Sequence, residues 1–250
     1  MTRALSALIL LTGLTGCFMG DKAMAPMPDK TRAELTAAGL ELGAPVYIRL
    51  FKFEAEMEVW LQNPQGTYTL FRTYPICNYS GDLGPKTTEG DKQSPEGFYI
   101  VTSAQMNPKS KYYLSFNIGY PNAYDRSKGY TGSNLMVHGG CLSVGCYAMT
   151  DQSIQELYIL AREAFNKGQR DFPVHAFPFR MTDENLATHK DSKWRDFWLN
   201  LKQGDDIFQV TGVPPIVGVK NGRYVFFTSP AKVPAEYRIA SAPGSPQLIQ

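Results

Sequence analysis

Short runs of alternating apolar and polar residues dominate the chain between positions 46 and 138. Pro and Gly clusters separate these runs, which is typical of strands joined by turns. The runs are VYIRLFKF (46–53), EMEVWL (56–61), YTLFRTYPI (68–76), GFYIVT (97–102), YYLSFNI (112–118) and NLMVH (134–138). The pattern predicts a β-rich region with one long polar loop, Ser80 to Gly97, within it.

The hydrophobic period becomes helical after position 150. The apolar residues that set this spacing are Ile154, Leu157, Tyr158, Ala161, Ala164 and Phe165. Thr150, Asp151 or Ser153 is a suitable N-cap, and Gly168 is expected to end the helix. Ser153 with Glu156 also fits a capping box.

A second helical region, from about Asp183 to Lys202, carries Trp194 and Trp198 on one face and is expected to stop at Gly204. The stripe predicts packing of a C-terminal extension more than a sugar-binding platform. The segment VHAFPF (174–179), which precedes this region, predicts a strand with His175 as a satisfied strand histidine.

The end of the chain predicts a hairpin and a tail. IVGVK (216–220) and RYVFF (223–227) flank Asn221-Gly222, a pair typical of a type I′ turn. Residues after Ser229 are expected to form a loose tail.

The first residues, MTRALSALILLTGLTGCFMG, predict an export signal. Arg3 precedes an uncharged apolar run, Ala4–Leu14, that is too short to span a membrane as a helix. Leu14-Thr15-Gly16-Cys17 also resembles the bacterial lipobox, which implies cleavage before Cys17 and lipidation of that residue. Phe18 then favours the outer over the inner membrane. The alternative is an ordinary signal peptide that happens to contain a cysteine.

Composition and charge narrow the class of protein. Hydrophobic residues make up 43% of the chain and charged residues 19%, as in globular proteins. A net charge of +2 gives no reason to expect nucleic-acid binding. Of the four cysteines, Cys77, Cys141 and Cys146 remain if Cys17 is lipidated, and an odd number leaves at least one thiol unpaired.

The stretch LMVHGGCLSVGCYAMTD (135–151) concentrates the candidate chemistry. A strand ending in His138 and a thiol at Cys146, a few residues before a helix, are joined by a short glycine-containing loop. The helix N-terminus would favour a thiolate at Cys146, and His138 would accept its proton. An ion pair and a neutral pair both require the two side chains within hydrogen-bond reach. Backbone N–H groups near Gly145 could donate hydrogen bonds to the oxyanion of a reaction intermediate.

Three other interpretations of this stretch stay open on spacing alone. His138, Cys141 and Cys146 could bind zinc, although a structural zinc site normally has four ligands. A Cys141–Cys146 disulfide would close a very small loop. Both cysteines could also be buried and inert, as most cysteines are.

Two motifs resemble the YkuD-like L,D-transpeptidase family of bacterial cell-wall cysteine acyltransferases. His138-Gly139 and Ser143-Val144-Gly145-Cys146 match the family's His-Gly and Ser-x-Gly-Cys. Upstream, Gly90-Asp91 and Ser94-Pro95-Glu96-Gly97-Phe98 match its Gly-Asp and Ser-Pro-x-Gly-aromatic element. The resemblance runs from about Val46 to Phe179.

The resemblance implies a mainly β fold with flanking helices (α+β), here a β-sandwich catalytic domain with a C-terminal helix-and-hairpin extension. Cys146 would attack the diaminopimelate carbonyl of a peptidoglycan stem peptide and form a thioester. His138 would act as general base and then acid, without metal or cofactor. The implied division of the chain is a signal peptide (1–16), a tether with a short helix near Ala33–Ala38 (17–43), the catalytic domain (44–180), the extension (181–229) and a tail (230–250).

Departures from the family pattern favour one of its branches. Only seven residues separate His138 from Cys146, and Ala148 stands where most members carry an Arg that holds the donor peptide. The compact form is similar to the YafK-like murein branch, which includes an amidase that releases the outer-membrane lipoprotein from peptidoglycan. We therefore expect amide cleavage by a lipid-anchored periplasmic enzyme whose partners are stem peptides and a wall-linked lipoprotein. Cross-linking or protein attachment is the alternative, as is a non-catalytic wall-binding lipoprotein.

Further residues are weaker candidates. Ser143 could orient His138 or cap the turn, and Gly139 and Gly145 would position the site. Cys77 and Cys141 could form a disulfide beside it. The cations that could bind a substrate carboxylate are Lys86, Arg126 and Arg180.

Overall fold

The structure, a computed structural model, describes residues 21–237 and 247–249. The predicted signal peptide and Cys17 lie outside the described residues. The strands, β1 to β13 in chain order, are Val46–Phe51, Glu56–Gln62, Tyr68–Pro75, Asn78–Tyr79, Gly97–Thr102, Met106–Asn107, Ser115–Asn117, Met136–His138, Tyr147–Ala148, Asp171–Phe177, Ile216–Lys220, Arg223–Phe227 and Gln247–Leu248. The helices, α1 to α5, are Asp29–Ala37, Ala123–Ser127, Asp151–Asn166, Asp183–Thr188 and Arg195–Thr211.

Two five-stranded sheets form the body of the protein. The first has the order β3-β2-β1-β10-β5, and the second has the order β4-β9-β8-β7-β6. Each sheet contains one parallel pair, β1 with β10 and β8 with β9. The parallel pair in the second sheet brings Met136–His138 next to Tyr147–Ala148, within the segment 135–151.

The two sheets share one hydrophobic core with helix α3. Phe116 of the second sheet contacts Phe172 of the first, with ring centroids 5.5 Å apart. Leu157 and Ile154 of α3 are fully buried in the same cluster. The predicted α+β class with a β-sandwich is therefore confirmed.

Helix α3 begins at Asp151, and its N-cap is Thr150, one of the three candidates that the sequence offered. The Thr150 hydroxyl accepts a hydrogen bond from the Ser153 N–H at 3.1 Å. The capping-box interpretation of Ser153 and Glu156 was wrong. Glu156 is buried, and its carboxylate accepts hydrogen bonds from the Thr31 and Tyr74 hydroxyls instead.

The predicted helix stop at Gly204 was also wrong. The helical region divides into α4 and α5, and α5 continues through Gly204 to Thr211, followed by Gly212 in the left-handed conformation. A Cβ at Gly204 would lie 2.6 Å from the rings of Phe98 and Phe226. Gly204 therefore allows α5 to pack closely on neighbouring aromatic rings, at the usual cost of glycine within a helix.

The C-terminal extension packs on the first sheet through a second cluster of buried residues. Trp198 and Leu201 of α5 join Phe51 and Phe177 there. This confirms the packing role of the Trp198 face. The domain boundary at residue 180 stays a prediction.

The hairpin β11–β12 confirms the expected turn, since Asn221 and Gly222 have φ values of 52° and 66°. The loose-tail prediction needs correction. Within the described residues, Gln247–Leu248 pairs with β11 as a third strand. No helix in the described part of the chain is long and apolar enough to cross a membrane.

Asp125 in α2 gives a testable link between pH and stability. Its side chain is fully buried, Oδ1 has no hydrogen-bond partner, and burial raises its pKa from 3.8 to about 7. Three groups lower the pKa of Asp125 without offsetting burial: the Asn122 backbone N–H, the Tyr99 hydroxyl and the Arg126 charge. The raised pKa means that protonated Asp125 stabilises the folded state. This contribution to the free energy of unfolding is complete below pH 3.8 and is lost as the pH rises through about 7.

We therefore expect Asp125→Asn to be more stable than the wild type above pH 7, by roughly 2 kcal/mol, because it removes a buried charge. It should also flatten the pH dependence between 4 and 7. Denaturant unfolding at pH 5 and pH 8 measures both effects, and a variant that loses equal stability at both values would contradict them.

Candidate active site

Strands β8 and β9 bring Cys146 beside the end of NLMVH. In their parallel register Val137 pairs with Tyr147 and His138 with Ala148. Cys146 directly precedes β9 and lies against Met136, whose N–H donates to its Sγ at 3.4 Å. His138 lies two positions further along β8, about 7 Å along the strand.

The His138 ring is held in one tautomer. Its Nδ1 lies 2.6 Å from the carbonyl oxygen of Gly139. Because a carbonyl only accepts hydrogen bonds, Nδ1 carries the proton, and Nε2 is left as the proton acceptor. The Tyr112 ring stacks on the imidazole with centroids 4.7 Å apart, and His138 is only 3% exposed. The arrangement suits a general base.

The Cys146 thiol is half-buried, and burial raises its pKa. The hydrogen bond from the Met136 N–H and the charge of Lys86 lower this pKa but do not offset burial. The expectation that the N-terminus of α3 lowers this pKa was wrong, since the net shift, dominated by burial, is upward. The structure favours a thiol over a resting thiolate.

The described structure has no hydrogen bond between the His138 ring and the Cys146 thiol. The Sγ atom instead faces the Asn134 carbonyl oxygen, 3.9 Å away, and the Met136 N–H. The expected preformed contact is therefore absent here. The two groups are neighbours on adjacent strands, and rotation of the thiol about the Cα–Cβ bond changes their separation.

The three predicted positioning residues have different surroundings. A Cβ at Gly139 would lie 2.6 Å from the Asp151 carboxylate and 3.0 Å from the Tyr112 carbonyl, so only glycine fits there. The Ser143 hydroxyl donates to the Cys146 carbonyl at 2.6 Å and therefore holds the backbone of Cys146, not the His138 ring. The Gly145 N–H already donates to the Ser80 hydroxyl, so in this conformation it is not free to bind an oxyanion.

Cys77 and Cys141 form a disulfide, with Cα atoms 5.4 Å apart. This excludes the Cys141–Cys146 disulfide and removes Cys141 as a zinc ligand. The described residues contain no group of three or more His, Cys, Asp or Glu side chains that could hold a metal ion. Within the same residues Cys146 is the one free cysteine.

Removing the disulfide with the double variant Cys77→Ser/Cys141→Ser should destabilise the protein. The bond joins residues 64 positions apart, and the chain-entropy model gives about 4 kcal/mol for such a loop. The free energies of unfolding of the variant and of the reduced wild type, measured with denaturant, should agree. If reduction leaves the wild-type unfolding free energy unchanged, the disulfide is absent in solution.

The three predicted substrate-binding cations differ in position. Lys86 is buried, pairs with Asp91 at 2.6 Å and acts on the Cys146 thiol through its charge. Arg126 is exposed and donates to the Pro121 carbonyl. Arg180 pairs with two carboxylates on β2. Of these three cations, Lys86 is the one whose charge lowers the pKa of the Cys146 thiol.

His175 is a satisfied strand histidine, as expected. It is 1% exposed, and its Nδ1 lies 2.8 Å from the Tyr47 hydroxyl oxygen. Burial and the nearby Arg49 charge keep its pKa well below the usual value, so it is neutral and structural.

Sequence reasoning missed several contacts at the site. Tyr112 stacks on His138, and the Asp151 carboxylate accepts from the Gly140 N–H at 2.9 Å. The Ser80 and Ser94 hydroxyls contact the backbone of the Cys146 turn from the polar loop. Ser94 belongs to the motif that resembles the family element, which is the one signal in the sequence for these contacts.

Comparison with known proteins agrees with this geometry. The model of the YkuD L,D-transpeptidase catalytic domain matches residues 57–166. Two Escherichia coli proteins, from strain K12 and from O157:H7, both named putative L,D-transpeptidase YafK, are each 50% identical to this chain over 184 residues. The match covers 74% of this chain and 74% of each relative.

Solved structures show weaker likeness. The helical cell shape determining protein Pgp2 of Campylobacter jejuni shares 19% identity, with a TM-score of 0.44 over 72% of this chain and 66% of that chain. Its K307A mutant matches over 64% of its length. Bd1075 of Bdellovibrio bacteriovorus shares 20% identity, with a TM-score of 0.38 over 66% of this chain and 60% of that chain. This chain thus spans less than two thirds of each solved chain.

The likeness to the Escherichia coli proteins is high and extends over most of this chain. The family's His-Gly and Ser-x-Gly-Cys motifs lie next to each other at the paired strands β8 and β9. The chain belongs to the YkuD-like L,D-transpeptidase catalytic family.

Proposed function

We propose that the protein is a cell-envelope cysteine acyl-enzyme that acts on peptidoglycan stem peptides at the diaminopimelate carbonyl. The observation that carries this proposal is the pairing of β8 with β9. It sets a free thiol, Cys146, beside a histidine whose Nε2 is available as a base. Family membership supplies the substrate class.

The proposed reaction begins with proton transfer from the Cys146 thiol to His138 Nε2 as the sulfur attacks the carbonyl carbon. The thiol first turns from Met136 toward the imidazole; such contacts often tighten only when substrate binds. The tetrahedral intermediate collapses, the C–N bond breaks, and His138 donates the proton to the leaving amine. A thioester joins Cys146 to the diaminopimelate acyl group.

Water then completes the reaction in the version we favour. His138 takes a proton from the water as its oxygen attacks the thioester, and the C–S bond breaks to return the thiol and release a carboxylic acid. Ala148 supports hydrolysis over transfer, because the family's arginine for the donor peptide is absent. Ala148 is fully buried and offers no charge to a donor peptide. We propose an amide such as the peptidoglycan–lipoprotein link as the bond cleaved.

The test is incubation of the purified protein with muropeptides that carry a linked lipoprotein peptide, in water enriched in ¹⁸O. Hydrolysis predicts release of the peptide and one ¹⁸O atom in the new diaminopimelate carboxyl group, measured by mass spectrometry. A cross-linked product without ¹⁸O would instead show transpeptidation. A thiol-reactive carbapenem should label Cys146 in an active enzyme. Binding to peptidoglycan with neither product nor carbapenem adduct would show a non-catalytic wall-binding protein.

We also propose that the protein is anchored on the periplasmic side of the envelope by lipidation of Cys17, at the outer membrane. Lipidation would add a diacylglyceryl group to the Cys17 thiol and an acyl chain to its amine, and these three acyl chains would make the anchoring stable. The full-length wild type should partition into the detergent phase of a Triton X-114 separation, and Cys17→Ala into the aqueous phase. Wild type in the aqueous phase would contradict the lipid anchor.

A further inference from the structure

The polar loop from Ser80 to Gly97 contacts the Cys146 carbonyl and the side chain of Tyr147, the next residue. The buried Ser94 hydroxyl donates to the Cys146 carbonyl at 3.0 Å. The Tyr147 hydroxyl donates to the Pro95 carbonyl at 2.6 Å. The position of the Cys146 turn therefore depends on where this loop is held.

Glu96, two residues after Ser94, fixes the loop from within. Its side chain is completely buried, and Oε1 accepts from the Gly84 N–H at 2.7 Å and from the Lys52 ammonium at 3.1 Å. Lys52 is equally buried and also donates to the carbonyls of Asp82 and Gly84, at 3.0 and 2.9 Å. One ion pair thus joins both ends of the loop to the end of β1.

The C-terminal extension supplies the remaining partner of this carboxylate. The indole N–H of Trp198, in α5, donates to Glu96 Oε2 at 2.9 Å, and Trp198 is 2% exposed. With this bond, three donors surround the carboxylate and three acceptors surround the Lys52 ammonium. A buried charge network in which every member is partnered is rigid, and loss of one partner leaves a buried group unsatisfied.

We infer that Glu96 is a positioning residue through which helix α5 and Lys52 set the place of the Cys146 turn. Glu96 touches neither the nucleophile nor the base, and it acts through Ser94 and Pro95. The inference rests on the proposed function, since it concerns the rate at which Cys146 is acylated. It gives the C-terminal extension a role in the reaction besides packing.

The test compares Trp198→Phe with Trp60→Phe in the otherwise unchanged protein. Each substitution removes one indole N–H bond of 2.9 Å to a carboxylate, but Trp60 donates to Glu58 on the first sheet. We expect Trp198→Phe to slow carbapenem acylation of Cys146 about tenfold, because small misplacements of a nucleophile cost rate steeply. The pH profile of iodoacetamide alkylation should also shift. Trp60→Phe should be acylated at a rate within twofold of wild type and should keep the wild-type pH profile of alkylation.

A double-mutant cycle with Ser94→Ala separates positioning from general loosening. If Trp198 acts through the loop, the two substitutions should be non-additive in acylation rate, whereas independent effects would multiply. Multiplying effects, or equal rates for the Trp198 and Trp60 variants, would overturn the inference. If Trp198→Phe does not fold, as judged by its thermal transition, Glu96→Gln replaces it in the same cycle. A wild type that is not acylated at Cys146 would overturn the proposed function itself.

Discussion

Cys146→Ala should reduce turnover by a factor of about 10³ or more, to the background rate, while leaving the fold intact. The proposed mechanism has one nucleophile, and alanine has no group that can form a thioester. The side chain is half-buried in a turn whose backbone is held by Ser94 and Ser143, so truncation leaves those contacts in place. Product formation from muropeptides, measured by mass spectrometry, gives the rate.

Intact-mass analysis after carbapenem treatment provides the matched control. The wild type should gain one adduct and Cys146→Ala none, because Cys77 and Cys141 are joined in a disulfide. The double variant Cys77→Ser/Cys141→Ser should still form the adduct, at reduced stability. Substantial turnover by Cys146→Ala, or an adduct on Cys141, would refute the assignment of the nucleophile.

The β-strands and the site motifs could be predicted from the sequence because both depend on local patterns. Alternation of apolar residues fixes which segments become strands, and Asn221-Gly222 determines its own turn type. His138 and Cys146 lie in one short stretch of the sequence. Their proximity could therefore be predicted from a strand, a short loop and a second element that follow each other along the chain.

Features that depend on tertiary contacts could not be predicted in this way. Gly204 normally signals a helix end, but in α5 it is needed for close contact with Phe98 and Phe226 from other elements. Glu156 fits a capping box locally, yet its carboxylate is bound by Thr31 and Tyr74 from distant parts of the chain. In both cases long-range packing outweighs the local preference.

The protonation state of Cys146 shows the same limit. The spacing of Cys146 from the start of α3 suggested a lowered thiol pKa. Burial, which depends on the whole fold, raises the pKa instead. Burial of the thiol therefore favours the neutral pair over the ion pair, the two arrangements that the sequence left open.

His138→Gln should lower kcat/KM by about 10²- to 10⁴-fold, the usual contribution of a general base. Glutamine can keep a polar contact with the Gly139 carbonyl but has no atom that accepts a proton near neutral pH. The stacked Tyr112 ring and the buried position should hold the shorter amide without unfolding. Thermal unfolding checks the fold, and muropeptide turnover gives the rate.

The same variant distinguishes a neutral pair from an ion pair. The Cys146 thiol is not hydrogen-bonded to His138, and its pKa is set by burial, the Met136 N–H and the Lys86 charge. The pH profile of iodoacetamide alkylation should therefore be the same in His138→Gln and wild type, although turnover is lost. Lys86→Met is the positive control: removal of its charge should raise the thiol pKa and slow alkylation at neutral pH. A clear rise of the thiol pKa in His138→Gln would show that the resting enzyme holds a thiolate–imidazolium pair.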